Sequence, residues 1–308
     1  MSRSEYSKTR LRKPAWLKRR LPTGAAYEQV RALLKKSGLH TVCQEALCPN
    51  IWECFSRGTA TFLIMGPNCT RACRFCAVGH GDPAPLDPLE PVHVAETVQA
   101  MGLTYVVITS VTRDDLPDGG AAVFARTIQE IRDHVARARV EVLIPDFQGN
   151  REALNTVMHA RPAILNHNVE TVPRLYPRVR PGADYLRSLE ILRWAMAEHP
   201  SIPTKSGLML GLGESKPEVE KIFHDLLNAG CQVLTLGQYL QPSTGQVPVE
   251  RYVPPEEFDK WRDKALDMGF RAVASGPFVR SSYRAEALCA KARGAGRITA
   301  DRSWETGR

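Results

Sequence analysis

The alternation of short apolar segments with helix-like segments is the feature that most limits how this chain can fold. The predicted strands are rich in Val, Ile, Leu or Thr and cover residues 59–65, 104–109, 139–145, 163–169, 204–210 and 232–238. The predicted helices cover residues 90–101, 120–137, 150–160, 183–198, 216–229 and 255–268. Strands joined by crossover helices form a parallel sheet with right-handed connections. The pattern therefore predicts an α/β fold. It favours a partial (β/α)6 barrel over an open doubly wound sheet, because "GLGE" (211–214) lacks the dinucleotide-binding fingerprint.

The net charge of +8 is concentrated at the start of the chain. Residues 1–20 carry eight Lys or Arg against Glu5 alone, which is +7 and leaves +1 for the remaining 288 residues. The nearly neutral body argues against a nucleic-acid partner. The basic arm could be a solvated segment, a contact for an acidic partner or a weak nucleic-acid tail. No apolar run reaches the roughly 18 residues of a membrane span, and no secretory signal is visible. We expect a cytoplasmic protein with no membrane partner.

Six of the eight cysteines lie within 34 residues, as Cys43-x4-Cys48-x5-Cys54 and Cys69-x3-Cys73-x2-Cys76. Without a secretory signal, this clustering indicates metal binding rather than disulfides. The second group follows strand 59–65, at the carboxyl end where functional groups of a βα barrel gather. A structural zinc site would need a fourth ligand, which His80 could supply. Three cysteines on a [4Fe–4S] cluster would leave one iron open, and the spacing favours this reading.

Cys69-x3-Cys73-x2-Cys76, with Phe75 before the last cysteine, resembles the radical S-adenosylmethionine (SAM) superfamily. Other segments resemble one family within it, lipoyl synthase, and they follow that family's order from about residue 14 to about residue 290. They are "HTVCQEALCPNIWECFSRGTATF", "CRFCAVGHGDPAPLDPLEP", "ITSVTRDDLPDGGA", "NHNVETVPRLYPRVRPGADY", "TKSGLMLGLGE", "LTLGQYLQPS" and "GPFVRSSYRA". Trp52 departs from the pattern, since the family often has glycine there.

This resemblance implies an enzyme that inserts two sulfur atoms, at C6 and C8, into a protein-bound octanoyl-lysine. It implies two [4Fe–4S] clusters as cofactors and two SAM per lipoyl group formed. The SAM cluster would be held by Cys69, Cys73 and Cys76. The auxiliary cluster, the sulfur source, would be held by Cys43, Cys48, Cys54 and a serine of "RSSY". The two candidates for that serine are Ser281 and Ser282, and we assign Ser282. The C-terminal tail must then fold back over the N-terminal extension, beside the barrel mouth.

We expect three regions: residues 1–58 as basic arm and N-terminal extension, 59–275 as the barrel, and 276–308 as the C-terminal tail. Polar residues near the strand ends are candidates for SAM binding: Ser110, Arg113, Asp114, Asp115, Asn168 and Glu170, with Lys205 and Ser206 near the fifth strand. A loop or helix cap competes with this role for Asp114 and Asp115. For the arginines at 174, 178 and 180, a solvated basic face is favoured slightly over contact with SAM or a carrier domain.

The implied partners are octanoylated carrier domains, either the lipoyl domain of a 2-oxoacid dehydrogenase or the glycine-cleavage H protein. An electron donor such as ferredoxin or flavodoxin is also implied, together with an iron–sulfur carrier that repairs the auxiliary cluster. Two alternatives remain at this stage. A methylthiotransferase would need an appended nucleic-acid-binding domain, and none is visible after residue 290. A zinc-stabilised binding module with a basic arm would belong to another class altogether.

Overall fold

The computed structural model describes residues 11–18, 25–56 and 60–294. Most of the basic arm, the first residue of predicted strand 59–65, the predicted region boundary at 58–59 and the end of the tail lie outside these ranges. The strands are β1 (His40–Thr41), β2 (Thr61–Ile64), β3 (Asn68–Cys69), β4 (Gly79–His80), β5 (Tyr105–Ser110), β6 (Arg139–Leu143), β7 (Ile164–Asn166), β8 (Thr204–Leu210), β9 (Val233–Gln238) and β10 (Ala272–Gly276).

The helices include all those predicted from the sequence and several short ones. They are α1 (Ala25–Lys36), α2 (Val42–Glu45), α3 (Ile51–Ser56), α4 (Glu90–Ala100), α5 (Ala121–His134), α6 (Arg151–His159), α7 (Tyr176–Val179), α8 (Tyr185–Glu198), α9 (Lys216–Asn228), α10 (Pro255–Met268) and α11 (Ala285–Ala292). Short 3-10 turns cover Ala15–Leu17, Phe147–Gly149 and Pro173–Leu175. Within the described ranges, no helix has the length and apolar character needed to cross a membrane.

One sheet organises the molecule, in the order β1-β2-β5-β6-β7-β8-β9-β10. Only β1 runs antiparallel to its neighbour, β2; the other pairs in this sheet are parallel. No pairing among the described residues joins β10 to β1, so the barrel is partial, as predicted. The six predicted strands are β2 and β5 to β9. The seventh parallel strand, β10, was not predicted because "AVASG" consists largely of residue types that are rare in strands.

The hydrophobic core lies between the sheet and its helices. Val106 and Ile108 alternate along β5 and pack with Phe124 and Ile128 of α5. A second cluster covers the other half of the barrel, where Leu234 and Leu236 of β9 meet side chains of α9 and α10. Successive strand residues point to opposite faces. The residues between these apolar side chains therefore face the barrel interior.

The barrel interior is polar at the amino-terminal half of the strands. The Lys205 Nζ lies 2.7 Å from Glu141 Oε1, and both side chains are fully buried. The Tyr105 hydroxyl donates to the other oxygen of Glu141 at 2.7 Å. Lys205 is the second residue of β8, away from the carboxyl ends of the strands. The structure thus places it in a buried ion pair below the mouth, where it holds β5, β6 and β8 together.

The N-terminal extension and the C-terminal tail meet beside the two open edges of the sheet. Asn50 Nδ2 donates to the carbonyl of Phe278 at 2.7 Å, across 228 residues of sequence. The Tyr283 hydroxyl donates to Glu53 Oε1 at 3.4 Å. These are the long-range contacts that the position of the "RSSY" segment predicts.

Glycine makes room for the tail inside the barrel. At Gly237 of β9, an added Cβ would lie 2.2 Å from the carbonyl oxygen of Val279, closer than any real contact. Only a residue without a side chain allows the tail to lie against the strand at this point.

Candidate active site

The cysteine loop, residues 69–76, lies at the carboxyl end of β2, as predicted. The amide of Thr112 donates to Cys69 Sγ at 3.2 Å, and the amide of Thr70 donates to the Thr112 carbonyl at 3.0 Å. On the other side, the amide of Arg74 donates to the carbonyl of Val179 at 2.9 Å. The loop is therefore fixed to the segments that follow β5 and β7.

Arg71, inside the cysteine loop, binds two neighbouring loops. Its guanidinium lies 2.6 Å from Asp114 Oδ2 and 2.7 Å from Asp146 Oδ1. Burial alone would raise the pKa of Asp146, but the hydrogen bond and charge of Arg71 outweigh it and lower the pKa to about 2. Asp114, predicted to contact SAM, thus uses its carboxylate to hold Arg71.

Neither Arg71 nor Asp146 was identified from the sequence. Asp146 directly follows predicted strand 139–145. The rule that selected Ser110 and Asn168, a polar residue at the carboxyl end of a strand, would have found it.

The three thiols of the loop are partly buried and close enough to affect one another. Burial raises the pKa of Cys76 to about 12, and the nearby sulfurs of Cys73 and Cys69 add to this effect. Burial also raises the pKa of Cys73, and the positive charge of Arg180 acts in the opposite direction. Metal binding requires thiolates, so a bound metal would have to displace these protons.

Arg180 lies at the barrel mouth, so the slightly favoured reading of it as part of a solvated basic face is wrong. Its Nη1 donates to the carbonyls of Asn168 and Val169 at 3.0 and 3.2 Å. Burial raises the pKa of Glu170, and the Arg180 charge opposes that rise. Arg174, in contrast, is mostly exposed and pairs with Glu218 at 2.7 Å. The distinction depends on tertiary packing, since both arginines belong to the same sequence segment.

Asn168 connects the mouth to the C-terminal tail. Its Nδ2 donates to Glu170 Oε1 at 2.9 Å and to the hydroxyl of Ser281 at 2.6 Å. Its Oδ1 is buried and has no hydrogen-bond partner among the described residues. The hydroxyl of Ser110 and the Oδ1 and Nδ2 atoms of Asn166 are also buried without a hydrogen-bond partner among these residues. Buried polar atoms normally have partners, so these atoms mark where a polar ligand would fit.

The other predicted SAM contacts have protein partners. Arg113 is almost fully buried and pairs with Asp115 at 2.8 Å. The hydroxyl of Ser206 accepts a hydrogen bond from the amide of Val169 at 3.2 Å. Of the predicted residues, Asn168 and Glu170 lie beside the cysteine loop, whereas Ser206 supports the strand next to them.

The N-terminal cysteines lie on two short helices. Cys43 is in α2, which Thr41 caps by accepting a hydrogen bond from the amide of Gln44; Cys48 follows α2, and Cys54 is in α3. Burial raises the pKa of Cys43 to about 12, and the sulfur of Cys48 contributes in the same direction. The three thiols therefore lie near one another.

The N-terminal cysteine group lies nearer the amino ends of the barrel strands than predicted. The Cys43 thiol is beside the backbone of Thr61, the first residue of β2. The carboxyl end of β2, Ile64, is three residues further along the strand. At about 3.3 Å per residue, the Cys43 thiol lies about 10 Å below that end. The prediction was that both chain ends pack beside the barrel mouth. The C-terminal tail does cross the mouth, but Cys43 of the N-terminal extension lies level with the middle of β5.

Trp52 has a defined contact in this region. Its ring stacks on that of Tyr27, with 4.3 Å between centroids and 23° between planes. Tyr27 also contacts Phe55 at 5.5 Å. Trp52 therefore joins α1 to α3 and leaves the three cysteines of the N-terminal group in place.

The two serines of "RSSY" have different surroundings. Ser281 accepts the hydrogen bond from Asn168, whereas the hydroxyl of Ser282 has no hydrogen bond to any described residue. Both follow Phe278, whose carbonyl is bound by Asn50 between Cys48 and Cys54. The tail thus connects the surroundings of the two cysteine groups.

The donor set fits iron–sulfur clusters. Each group supplies three neighbouring thiols, the ligand type that such clusters use. Within the described ranges, no three Cys, His, Asp or Glu side chains are arranged to hold a single metal ion. His80 pairs in register with Cys69 in the small β3–β4 sheet but does not complete such a set.

Comparison with known proteins identifies the family. The family model for the radical SAM superfamily matches residues 63–226, and that for the N-terminal domain of lipoyl synthase matches residues 2–48. A lipoyl synthase of Desulfotalea psychrophila is 57% identical over 291 residues, covering 94% of this chain and 97% of that protein. The chain belongs to the lipoyl synthase family of radical SAM enzymes. SAM and [4Fe–4S] clusters are therefore its cofactors, and this assignment is supported over the methylthiotransferase alternative.

Other relatives and solved structures agree. A lipoyl synthase of Nitrosococcus oceani is 57% identical, covering 92% of this chain and 87% of that protein. One of Chlorobium phaeovibrioides is 58% identical, with coverages of 90% and 97%. Methylornithine synthase matches with a TM-score of 0.52 at 14% identity and covers 82% of each chain. HydG, a maturase of the [FeFe]-hydrogenase, gives 0.53 at 14% identity, with coverages of 92% and 78%. At these identities the structures support the fold alone.

Proposed function

We propose that the protein inserts sulfur at C6 and C8 of an octanoyl-lysine carried by a lipoyl carrier protein. Cys69, Cys73 and Cys76 would hold the SAM cluster. The auxiliary cluster would be held by Cys43, Cys48, Cys54 and Ser282. The observation that carries the proposal is the connection between the two thiol groups. Asn168, beside Glu170 at the first group, binds Ser281 of the tail, and Asn50, inside the second group, binds Phe278 of the same tail.

The chemistry explains why two clusters are needed. The C–H bonds at C6 and C8 of an alkyl chain are not acidic, so a general base cannot open them. When bound, SAM and its cluster supply a carbon radical able to remove these hydrogens, and the auxiliary cluster supplies the sulfur. The residues of the chain then have to position the substrate and exclude water.

Specific residues are suited to those tasks. The unpartnered Oδ1 of Asn168 and hydroxyl of Ser110 could orient the polar groups of SAM. Arg180 and Glu170 place one positive and one negative group beside Cys73, matching the carboxylate and amino groups of an amino acid. Leu63 and Val107, on the inner face of the sheet, provide apolar surface for the alkyl chain.

Ser282 is proposed as the fourth ligand because its hydroxyl has no partner among the described residues, whereas that of Ser281 is held by Asn168. An alkoxide is a harder ligand than a thiolate and matches iron less well in a sulfur-rich site. This would make the auxiliary cluster easier to open. If Ser282→Cys kept full sulfur insertion, the need for a labile oxygen ligand would be refuted. Ser281→Ala is the matched control and should keep the auxiliary cluster.

The finer assignments extend the same proposal. The substrate would be the lipoyl domain of a 2-oxoacid dehydrogenase or the glycine-cleavage H protein. A ferredoxin or flavodoxin would supply electrons, and an iron–sulfur carrier would rebuild the auxiliary cluster. The reaction would take place in the cytoplasm.

The decisive experiment is anaerobic incubation of reconstituted protein with an octanoyl-lysine peptide, SAM and a reductant. Mass spectrometry should find two added sulfur atoms in the peptide together with released 5′-deoxyadenosine. Iron analysis should give about eight irons per chain, four for each cluster. Cleavage of SAM with no gain of sulfur by the peptide would exclude the proposed reaction while leaving the superfamily assignment in place.

A further inference from the structure

A cavity opens on the face of the barrel opposite the cysteine loop. Its volume is about 560 Å³, and it lies at the amino ends of β6, β7 and β8. Six of the residues that line it carry a guanidinium or an imidazole: Arg132, Arg139, Arg161, Arg293, His159 and His199. Among the described residues that line it, none is Asp or Glu. The proposed reaction uses no residue of this cavity.

Three of the four arginines are anchored by the protein. The Arg132 guanidinium donates to the carbonyls of Ala160 and Arg161. Arg293 Nη2 donates to the carbonyl of Ala163 at 3.0 Å, and Arg139 pairs with Glu286 at 3.1 Å. A guanidinium has five N–H donors, so each keeps donors after these bonds. The groups are held in place before any ligand arrives, which lowers the entropic cost of binding.

The positive charge of the cavity is not balanced. Arg161 is exposed and makes no ion pair or hydrogen bond through its side chain with the described residues. Burial lowers the pKa of Arg132, and the charge of Arg161 lowers it further. Glu286 is the one carboxylate paired with these four arginines within the described ranges, and more than half of its side chain is exposed. A concave site lined by one sign of charge attracts ions of the other sign.

We infer that this cavity binds a small molecule bearing phosphate groups. Guanidinium groups bind phosphate through paired N–H donors, and four of them match a ligand with two or more negative charges. The cavity is concave and within the volume range of small-molecule sites, which favours such a ligand over the flatter surface of an acidic protein. This inference does not depend on the proposed sulfur insertion.

The test is isothermal titration of the full-length protein with inorganic pyrophosphate at low salt. The protein should bind it saturably, and added KCl should weaken binding because the contacts are ionic. Arg161→Glu should raise the Kd at least about tenfold, the effect of losing one charged hydrogen bond. The matched control is Arg193→Glu, an exposed α8 position outside the cavity lining, which should leave the Kd within about twofold.

Several outcomes would overturn the inference. One is the absence of saturable binding by the unmodified protein, and another is an equal loss of affinity in Arg161→Glu and Arg193→Glu. Weaker binding of a carrier domain by Arg161→Glu, without pyrophosphate binding by the unmodified protein, would assign the cavity to a protein contact instead. If Arg161→Glu folds poorly, Arg161→Gln removes the charge alone. Sulfur insertion should be unchanged in both variants, so the two proposals fail independently.

Discussion

The two cysteine groups are held in place in different ways. Cys69, Cys73 and Cys76 come from one loop, which neighbouring loops clamp through Thr112, Val179 and the two carboxylates on Arg71. The N-terminal group is spread over α2 and α3 and is tied to a tail 228 residues away through the Asn50–Phe278 hydrogen bond. The first group depends on the barrel, and the second also depends on the two chain ends meeting. We therefore expect changes to the two groups to have separable effects.

The largest effect should come from removing one cysteine of either group. Cys73→Ala should abolish SAM cleavage, because the SAM cluster would lose one of its three proposed cysteine ligands. Cys48→Ala should keep SAM cleavage but abolish sulfur insertion, since the auxiliary cluster would be lost. Each variant should lower iron from about eight to about four per chain. Anaerobic iron analysis and assay of 5′-deoxyadenosine would measure both. Loss of SAM cleavage in Cys48→Ala would contradict the separation of roles.

Arg71→Leu should be the most damaging change outside the cysteines. It leaves Asp146, which is almost fully buried, without its closest positive partner, and breaking a buried pair costs about 3–5 kcal/mol. Arg174→Leu is the matched control, because it breaks an exposed pair with Glu218 that solvent screens and that should contribute far less to stability. The free energy of unfolding of both variants can be measured by denaturant titration. An equal loss in the free energy of unfolding in both variants would show that the Arg71 ion pairs stabilise the protein no more than the exposed Arg174 pair does.

Asn50→Ala should have a smaller effect, directed at the second group. It removes the hydrogen bond from Asn50 to the Phe278 carbonyl, at a net cost of about 0.5–1.5 kcal/mol, and it loosens the tail beside Cys48 and Cys54. Sulfur insertion should therefore fall more than SAM cleavage. Asn155→Ala, on α6, serves as the control, because the Asn155 side chain makes no hydrogen bond with another described residue. A parallel fall in both activities would place the effect on the whole barrel.

A separate effect concerns the pH dependence of stability, and it comes from a histidine near the cysteine loop. His167 is fully buried and its Nδ1 lies 2.9 Å from the carbonyl of Ile144; burial lowers its pKa from 6.5 to about 4. Below pH 6.5 the unfolded chain therefore binds a proton that the folded chain does not. Stability from this group is complete above pH 6.5 and falls toward pH 4, by up to about 1.4 kcal/mol per pH unit.

Denaturant titrations between pH 5 and pH 7.5 would check this, comparing the unmodified protein with His167→Asn. The variant keeps an N–H donor but cannot take up the proton, so its stability should depend less on pH. If the two proteins differed in free energy of unfolding by the same amount at every pH in this range, a buried neutral imidazole at His167 would be ruled out.

The sequence predicted the parts of the fold that local pattern encodes. Six apolar segments became β2 and β5 to β9, because each is a continuous run of strand-forming residues. It missed β10, whose small residues have low strand propensity and whose place depends on pairing with β9. It also missed α11, which packs Leu288 and Cys289 beneath the barrel. Such elements gain their stability from tertiary contacts, which local propensity does not report.

The candidate site also has parts that the sequence predicted and parts that it did not. Both cysteine spacings and the "RSSY" segment could be recognised in the sequence because each is a short local motif. The pairing of Arg71 with Asp146, the position of Arg180 beside Cys73 and the arginine cavity are not, since each joins segments far apart in sequence. Charge counting assigned the body of the chain only +1, yet folding brings four arginines to one cavity.

By itself, then, the sequence determined the type of sheet, the two groups of cysteines and the family, because periodicity and residue spacing are local properties of a chain. Tertiary structure decided the depth of Cys43 in the barrel, the different surroundings of the two serines in the tail and which arginines are buried. These depend on contacts between residues more than 200 positions apart, whose geometry is fixed only when the whole sheet has formed.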